Sequence, residues 1–280
     1  MTTLASLYDL IAFPMSYGFM QRALLGAVLV GAVCAVLSCF LVLKGWSLMG
    51  DAVSHAVLPG IVLAFMAGLP LAVGAFAAGL FCAVATGFLK DNSRVKEDTV
   101  MAIVFSGMFA LGLVLFTRVD TDQHLNHILF GNLLGIEPAD LIEIAVVAGV
   151  TLVVVLAKRR DLALYCFDPL HARAIGLPIQ VLHYGLLVLL AATIVAALKA
   201  VGIILVVSML VAPGAIAYLV TDRFDRMLAI ATVVAVFAAV SGTIVSYHIN
   251  GATGPCIVLI QAAIFIAVLI RAEFARLQTG

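Results

Sequence analysis

The chain has 280 residues, of which 65% are hydrophobic and only 11% charged, with a mean hydropathy of +1.24. A soluble globular domain carries nearer ~45–50% apolar residues, so this composition excludes one and describes a polytopic membrane protein. The 15 basic and 15 acidic residues cancel, which leaves no basic field for a nucleic-acid partner.

Residues 1–21 mix polar and apolar side chains around Pro14, with Arg22 at the edge of the first apolar run, and suit the membrane interface. They lack a basic n-region followed by a small-residue cleavage site, so no cleaved signal peptide is expected. A spanning helix takes about 20 mostly apolar residues. Such runs are predicted near Leu24–Val42, Asp51–Gly68, Leu71–Leu89, Thr99–Phe116, Ala139–Leu156, Val181–Leu198, Ala200–Val220, Leu228–Tyr247 and Ile257–Ile270. The expected fold class is an all-α bundle of about nine transmembrane helices, or eight if two short candidates form one broken or re-entrant segment.

Between the first two runs, the stretch from Lys44 to Gly60 puts a carboxylate and an imidazole into otherwise hydrocarbon-like sequence. Asp51 and His55 are four apart, so a helix stacks them on one face, with Ser47 and Ser54 on the same stripe. A polar stripe of this kind wants water, an ion or a partner. An acid at membrane depth costs roughly 2.5–3.5 kcal/mol on insertion scales and marks a functional candidate. The competing structural reading has Asp51 capping a helix that starts at Ala52, with His55 bonded to a nearby carbonyl.

Basic residues cluster in certain connections: Lys90, Arg94 and Lys96; Lys158, Arg159, Arg160 and Arg173; Arg223 and Arg226; Arg271 and Arg276. With nine spans all of these, and Lys44, fall on one side, which the positive-inside rule makes cytoplasmic, with the N-terminus outside and the C-terminus inside. Eight spans would break that agreement unless one hydrophobic run fails to cross. The opposite side carries Asp120, Asp122, His124 and His127, either a metal-collecting mouth or an ordinary solvated loop. A GxxxG spacing follows at Gly131 and Gly135, a weak sign of close helix packing.

The loop after the fifth run is more specific. Asp168 can cap a short helix with Pro169 at its first position, and Gly176 with Pro178 can end it. Leu170 and Ala174 then oppose His171 and Arg173, which suits docking into a groove on another protein. Among later residues, Pro213 frees a backbone carbonyl inside the seventh run. Lys199 reads as a snorkelling anchor rather than a gate, His183 as packing or an interface residue, and His248 beside Tyr247 as either a belt residue or an ion contact. The cysteines (Cys34, Cys39, Cys82, Cys166 and Cys256) show no C-x-x-C spacing and read as packing residues.

Four segments together resemble the permease subunits of bacterial ABC importers for manganese, zinc and ferrous iron. They are Gly50-Asp-Ala-Val-Ser-His-Ala-Val-Leu-Pro-Gly60, Asp168-Pro-Leu-His-Ala-Arg-Ala-Ile-Gly-Leu-Pro178, the run from Lys199 to Ala215, and Ser246-Tyr-His-Ile-Asn-Gly-Ala-Thr-Gly-Pro255. The segment from His127 to Ile136 is closer to the manganese/iron branch than to the zinc branch. The resemblance implies a single permease domain over 1–280, similar in architecture to vitamin B12 and siderophore importers, in a bacterial inner membrane. It implies as partners a second permease subunit, identical or different, a cytoplasmic ATP-binding subunit, an extracytoplasmic metal-binding protein and membrane lipid. No cofactor is permanently held; the divalent metal is cargo.

In the same resemblance Asp51 and His55 are the metal ligands, with Ser47, Ser54 and His248 as further candidates. The loop at about 158–179 is the ATPase-coupling element, through Asp168, Pro169, His171, Arg173 and Gly176. Many relatives carry Asp where this chain has Asn250, which weakens any ion contact there. A carboxylate with an imidazole and no thiolate cluster suits manganese, ferrous iron or zinc. The chain contains no G-x-x-x-x-G-K-[ST] phosphate loop, so ATP hydrolysis falls to another chain. A gradient-driven cation transporter would leave the capped loop helix unexplained. An intramembrane hydrolase finds no H-E-x-x-H or G-x-S-x-G constellation.

Overall fold

The computed structural model describes residues 16–118 and 133–279, and among these every regular element is helical. The long helices are α1 (Gly18–Lys44), α2 (Met49–Met66), α3 (Leu71–Asp91), α4 (Glu97–Phe116) and α5 (Pro138–Ala157). Two short helices follow, α6 (Arg159–Phe167) and α7 (Pro169–Ala174), then α8 (Ile179–Val220), α9 (Phe224–Ile249) and α10 (Thr253–Thr279). Eight of the described helices are long and apolar enough to cross a membrane. The expected all-α polytopic fold is what the chain adopts.

Side-chain contacts sort the helix ends. At one end the Lys44 ammonium lies 4.2 Å from the Tyr165 ring centroid, and Tyr165 and His183 share a 2.8 Å hydrogen bond. Arg159 pairs with Asp225 at 3.6 Å at the same end. The last turns of α1 and α5 therefore meet α6 and the first turns of α8 and α9, and this end carries most of the arginines. At the other end Tyr17, just before α1, faces Tyr247 near the close of α9, ring centroids 6.4 Å apart. There Lys199 also bonds Glu143 on α5 at 2.8 Å.

The sixth and seventh predicted runs are hydrogen-bonded as the single 42-residue element α8. At 1.5 Å per residue a straight helix of that length would be about 63 Å long, twice a hydrocarbon core. It is not straight: Gly202 sits at φ 74°, ψ 169°. Before it the chain runs away from the basic end, from His183 beside Trp46 to Thr193 and Ala197 beside Val30 and Val33. After it the chain runs back, from Met209 against Gly31 to Gly214 against Ser38. The two halves of α8 are thus antiparallel, which preserves the one-sided placement of the basic loops. Only glycine takes this backbone conformation without steric cost.

The core forms where α1, buried over most of its length, is wrapped by both halves of α8, by α9 and by α5. Small residues let the helices approach closely. Gly60 of α2 and Gly74 of α3 bring their backbones into direct contact, and a Cβ at Gly112 of α4 would lie 2.9 Å from the Pro59 nitrogen. In lipid, where no hydrophobic force drives helices together, such backbone approach supplies the packing. The α2–α3–α4 layer is therefore a tight unit laid beside the α1–α8 core, and it carries the polar pair.

Candidate functional site

Helix α2 begins at Met49, with Leu48 at its N-cap and Asp51 in its first turn. Asp51 is therefore not the cap of a helix starting at Ala52; it stands inside the helix, where the N-terminal end of the macrodipole favours its charge. One turn on, His55 Nε2 lies 3.3 Å from Asp51 Oδ1. The pair faces outward, with side chains 37% exposed for Asp51 and 32% for His55. Ala52, Val53 and Ala56 between them are fully buried and fix the helix on its other face.

The depth of the pair follows from α4. His55 lies against Phe105, nearly parallel at 6.0 Å, and edge-on to Phe109 at 5.2 Å. These are the ninth and thirteenth residues of the 20-residue α4, about 12 and 18 Å along a helix about 30 Å long. The imidazole thus sits midway along the bundle rather than at a span boundary. Two aromatic rings limit its rotation and leave the carboxylate side open. The outer surface of α4 beside it is bare: Ile103, Leu111 and Val114 are 67%, 52% and 62% exposed.

The rest of the predicted stripe does not assemble. Ser47 is exposed in the turn before α2. Ser54 is buried and donates its hydroxyl to the Gly50 carbonyl of its own helix at 2.7 Å. His248 is exposed at the far end of α9, edge-on to Tyr247 at 5.5 Å, on a helix that packs against α1, α8 and α10 rather than α2. No group of three or more His, Cys, Asp or Glu side chains converges among the described residues. The mouth-loop residues Asp120, Asp122, His124 and His127 lie outside the described residues.

At the basic end Asp168 accepts hydrogen bonds from the Leu170 and His171 amides, at 3.0 and 2.9 Å, with Pro169 at the first helical position. Gly176 takes φ 84° and ends the turn after α7. His171, Arg173 and Gly176 are exposed. So are three apolar side chains that the sequence pattern did not single out as a set: Phe167 at 79%, Leu170 at 78% and Ile175 at 57%.

Several single residues read differently in the fold. To the packing and interface readings of His183 the structure adds polar detail: its ring bonds Tyr165 and stands edge-on to Trp46 at the basic end. Lys199 is ion-paired with Glu143 rather than a free anchor. Asn250 closes α9 in the left-handed conformation, φ 51°, which Asn and Asp tolerate better than other side chains. The five cysteines are all free and buried, as packing residues are.

The chain matches the family model "ABC 3 transport family" over residues 16–272. It is 67% identical over 264 residues to the chelated iron transport system membrane protein YfeD of Yersinia pestis, covering 94% of this chain and 89% of that one. It is 54% identical over 259 residues to the manganese transport system membrane protein MntB of a Synechocystis species, covering 92% of this chain and 85% of that one. The solved structure of PsaBC from Streptococcus pneumoniae in complex with Fab matches with a TM-score of 0.84 at 38% identity, over 94% of this chain and 95% of that one. This chain belongs to the ABC 3 transport family.

Proposed function

We propose that the chain is the membrane-spanning permease subunit of an ATP-driven importer for manganese or ferrous iron, and that the ion passes Asp51 and His55. The observation that carries this reading is the pair itself, 3.3 Å apart, one-third exposed and halfway along the bundle. A carboxylate with an imidazole suits these ions, whose softer competitors prefer thiolates. The relatives named above are manganese and chelated-iron transport proteins, which agrees with that donor set. Two protein ligands strip part of an ion's hydration without trapping it, and conduction needs a site that is favourable to enter and weak enough to leave.

The basic end is cytoplasmic in this reading, with the C-terminus inside, because Lys and Arg mark the inner side. The exposed Phe167, Leu170 and Ile175 then face a separate ATP-binding subunit, and the capped α7 transmits its movement. A second permease subunit covers the bare face of α4 and completes the ion's surroundings. An extracytoplasmic binding protein delivers the ion from the other end.

The test is uptake of radiolabelled manganese by cells expressing the complete transporter. D51N and H55Q each lower uptake by at least about 10–100-fold, the loss seen when even a group that only supports a metal ligand is changed, while the ATPase still co-purifies. Wild-type uptake in both variants overturns the site. Undiminished uptake with an ATPase lacking its catalytic Glu overturns ATP drive. R173E weakens ATPase co-purification and leaves the fold intact; unchanged co-purification overturns the coupling role of α7.

A further inference from the structure

At the basic end, away from Asp51 and from the exposed apolar side of α7, a cavity of about 390 Å³ lies between α6 and the α8–α9 turn. Arg159, Arg160 and Ala163 form one wall, and Arg223, Phe224 and Asp225 the other. Its floor is fixed to the core, because Phe224 packs edge-on against Phe40 of α1 at 5.0 Å. Its two walls are tied by the 3.6 Å Arg159–Asp225 pair. That pair consumes the cavity's one carboxylate. Arg160 and Arg223 are exposed and, among the described residues, have no carboxylate partner.

Two exposed guanidiniums that line one concavity give it a positive potential, which draws an anion in. Arginine forks are matched to phosphate oxygens, which they grip in pairs. The cavity's level selects among anions. Its walls start two residues beyond Ala157, where α5 ends, and three beyond Val220, where α8 ends, which is the interfacial layer of a membrane. The helix turns leading into the bilayer carry exposed apolar side chains: Val153 at 70% and Leu156 at 43% on α5, Tyr218 at 57% and Val220 at 53% on α8. A headgroup in the cavity would have its acyl chains against such surface, whereas a soluble phosphate or an acidic peptide would make no use of it.

We propose that this cavity binds the phosphodiester headgroup of an anionic phospholipid of the cytoplasmic leaflet. The lipid bridges Arg160 and Arg223 and so fixes α6, which runs through Asp168 directly into the exposed α7. The site rests on the orientation given above only for the name of the leaflet; its lipid preference is independent of the cargo and of Asp51 and His55.

The experiment is native mass spectrometry of the complete permease released from nanodiscs of phosphatidylcholine with about one-fifth phosphatidylglycerol, read together with thermal unfolding in the same discs. Wild-type protein retains phosphatidylglycerol over phosphatidylcholine. R160Q/R223Q loses that preference roughly 25-fold, about fivefold for each basic residue removed from the anionic surface. R94Q/K96Q, which removes two charges from another loop at the same end, keeps it. Equal retention of the two lipids by wild type overturns the proposal without recourse to any variant. An equal loss in R94Q/K96Q overturns it in favour of a diffuse surface charge. Stabilisation of wild type by inorganic phosphate in pure phosphatidylcholine discs, matching that of phosphatidylglycerol, makes the site one for free phosphate. Loss of ATPase co-purification in R160Q/R223Q with lipid preference intact makes it a peptide surface.

Discussion

Gly60→Ala tests whether the polar pair depends on how closely α2 and α3 approach. A Cβ at Gly60 falls onto the Gly74 carbonyl and lies 2.6 Å from the Ala78 Cβ; one at Gly74 falls onto the Gly60 carbonyl and lies 2.5 Å from the Ala64 Cβ. Carbon atoms in contact settle near ~3.5–4.0 Å, so either alanine must part the two helices by about an ångström. Backbone cannot yield as a side chain tip can, and overpacking of this kind costs about 1–3 kcal/mol. At roughly 2–4 °C per kcal/mol for a chain of this order, G60A lowers the apparent Tm of the purified protein by about 3–10 °C. Uptake falls with it, because α2 carries both Asp51 and His55. The double variant G60A/G74A costs less than the two singles combined, since the first substitution has already opened the gap. Gly149→Ala on α5, where nothing lies within 4 Å of the added carbon, leaves Tm unchanged. Additive losses, or a G60A protein as stable as wild type, would refute the close-approach account.

Asp168→Ala removes the acceptor of two α7 amides, costs about 1 kcal/mol of local helix stability and halves or worse the ATPase recovered with the permease, while D168N retains most of it. Reversal of α8 at Gly202 places K199C and R223C on opposite sides of the membrane, so an impermeant thiol reagent added to intact cells labels the first and not the second; labelling of both from one side refutes the antiparallel arrangement. Gly202→Ala, forced to φ near 74°, loses roughly 1–3 kcal/mol and lowers the yield of folded protein. Burial pushes the Cys166 thiol up to about 12 although the Lys44 charge pulls it down, so Cys166 stays protonated and resists maleimide at pH 8 in folded protein. Its folded pKa lies above the unfolded one, so the stability it contributes is present below pH ~9 and lost as pH rises toward 12; labelling of native protein at pH 8 as fast as after unfolding would refute this.

Helix positions were legible because apolar runs of spanning length need no tertiary knowledge: the breaks at Gly45, Pro70 and Arg223 fall where the sequence turns polar or loses its helix formers. The cap at Asp168 was equally legible, since Asp-Pro is a local signal with a local cause. What sequence could not supply was any quantity set by a neighbouring helix. The predicted stripe of four polar groups lost Ser47 to a turn and Ser54 to its own Gly50 carbonyl. The depth of His55 is fixed by Phe105 and Phe109, which lie some 50 residues away in the chain. The choice between eight and nine runs hung on one residue, Gly202, whose unusual backbone is invisible in composition.

The position of the pair also bears on how an importer avoids holding its cargo. At the middle of a bilayer an isolated carboxylate is expensive and an ion bound by a full protein shell would stay bound. In the proposed role, Asp51 and His55 meet both constraints with two groups that support each other at 3.3 Å, on a helix whose first turn favours the negative charge. One side of the imidazole is walled by α4, and the α2–α3–α4 unit that sets this geometry is held by close glycine contacts and by one weak bond from the Cys82 thiol to the Ala52 carbonyl at 3.9 Å. Under the proposed coupling, movement at the basic end tilts the unit as a body and alters what faces the open side of the pair.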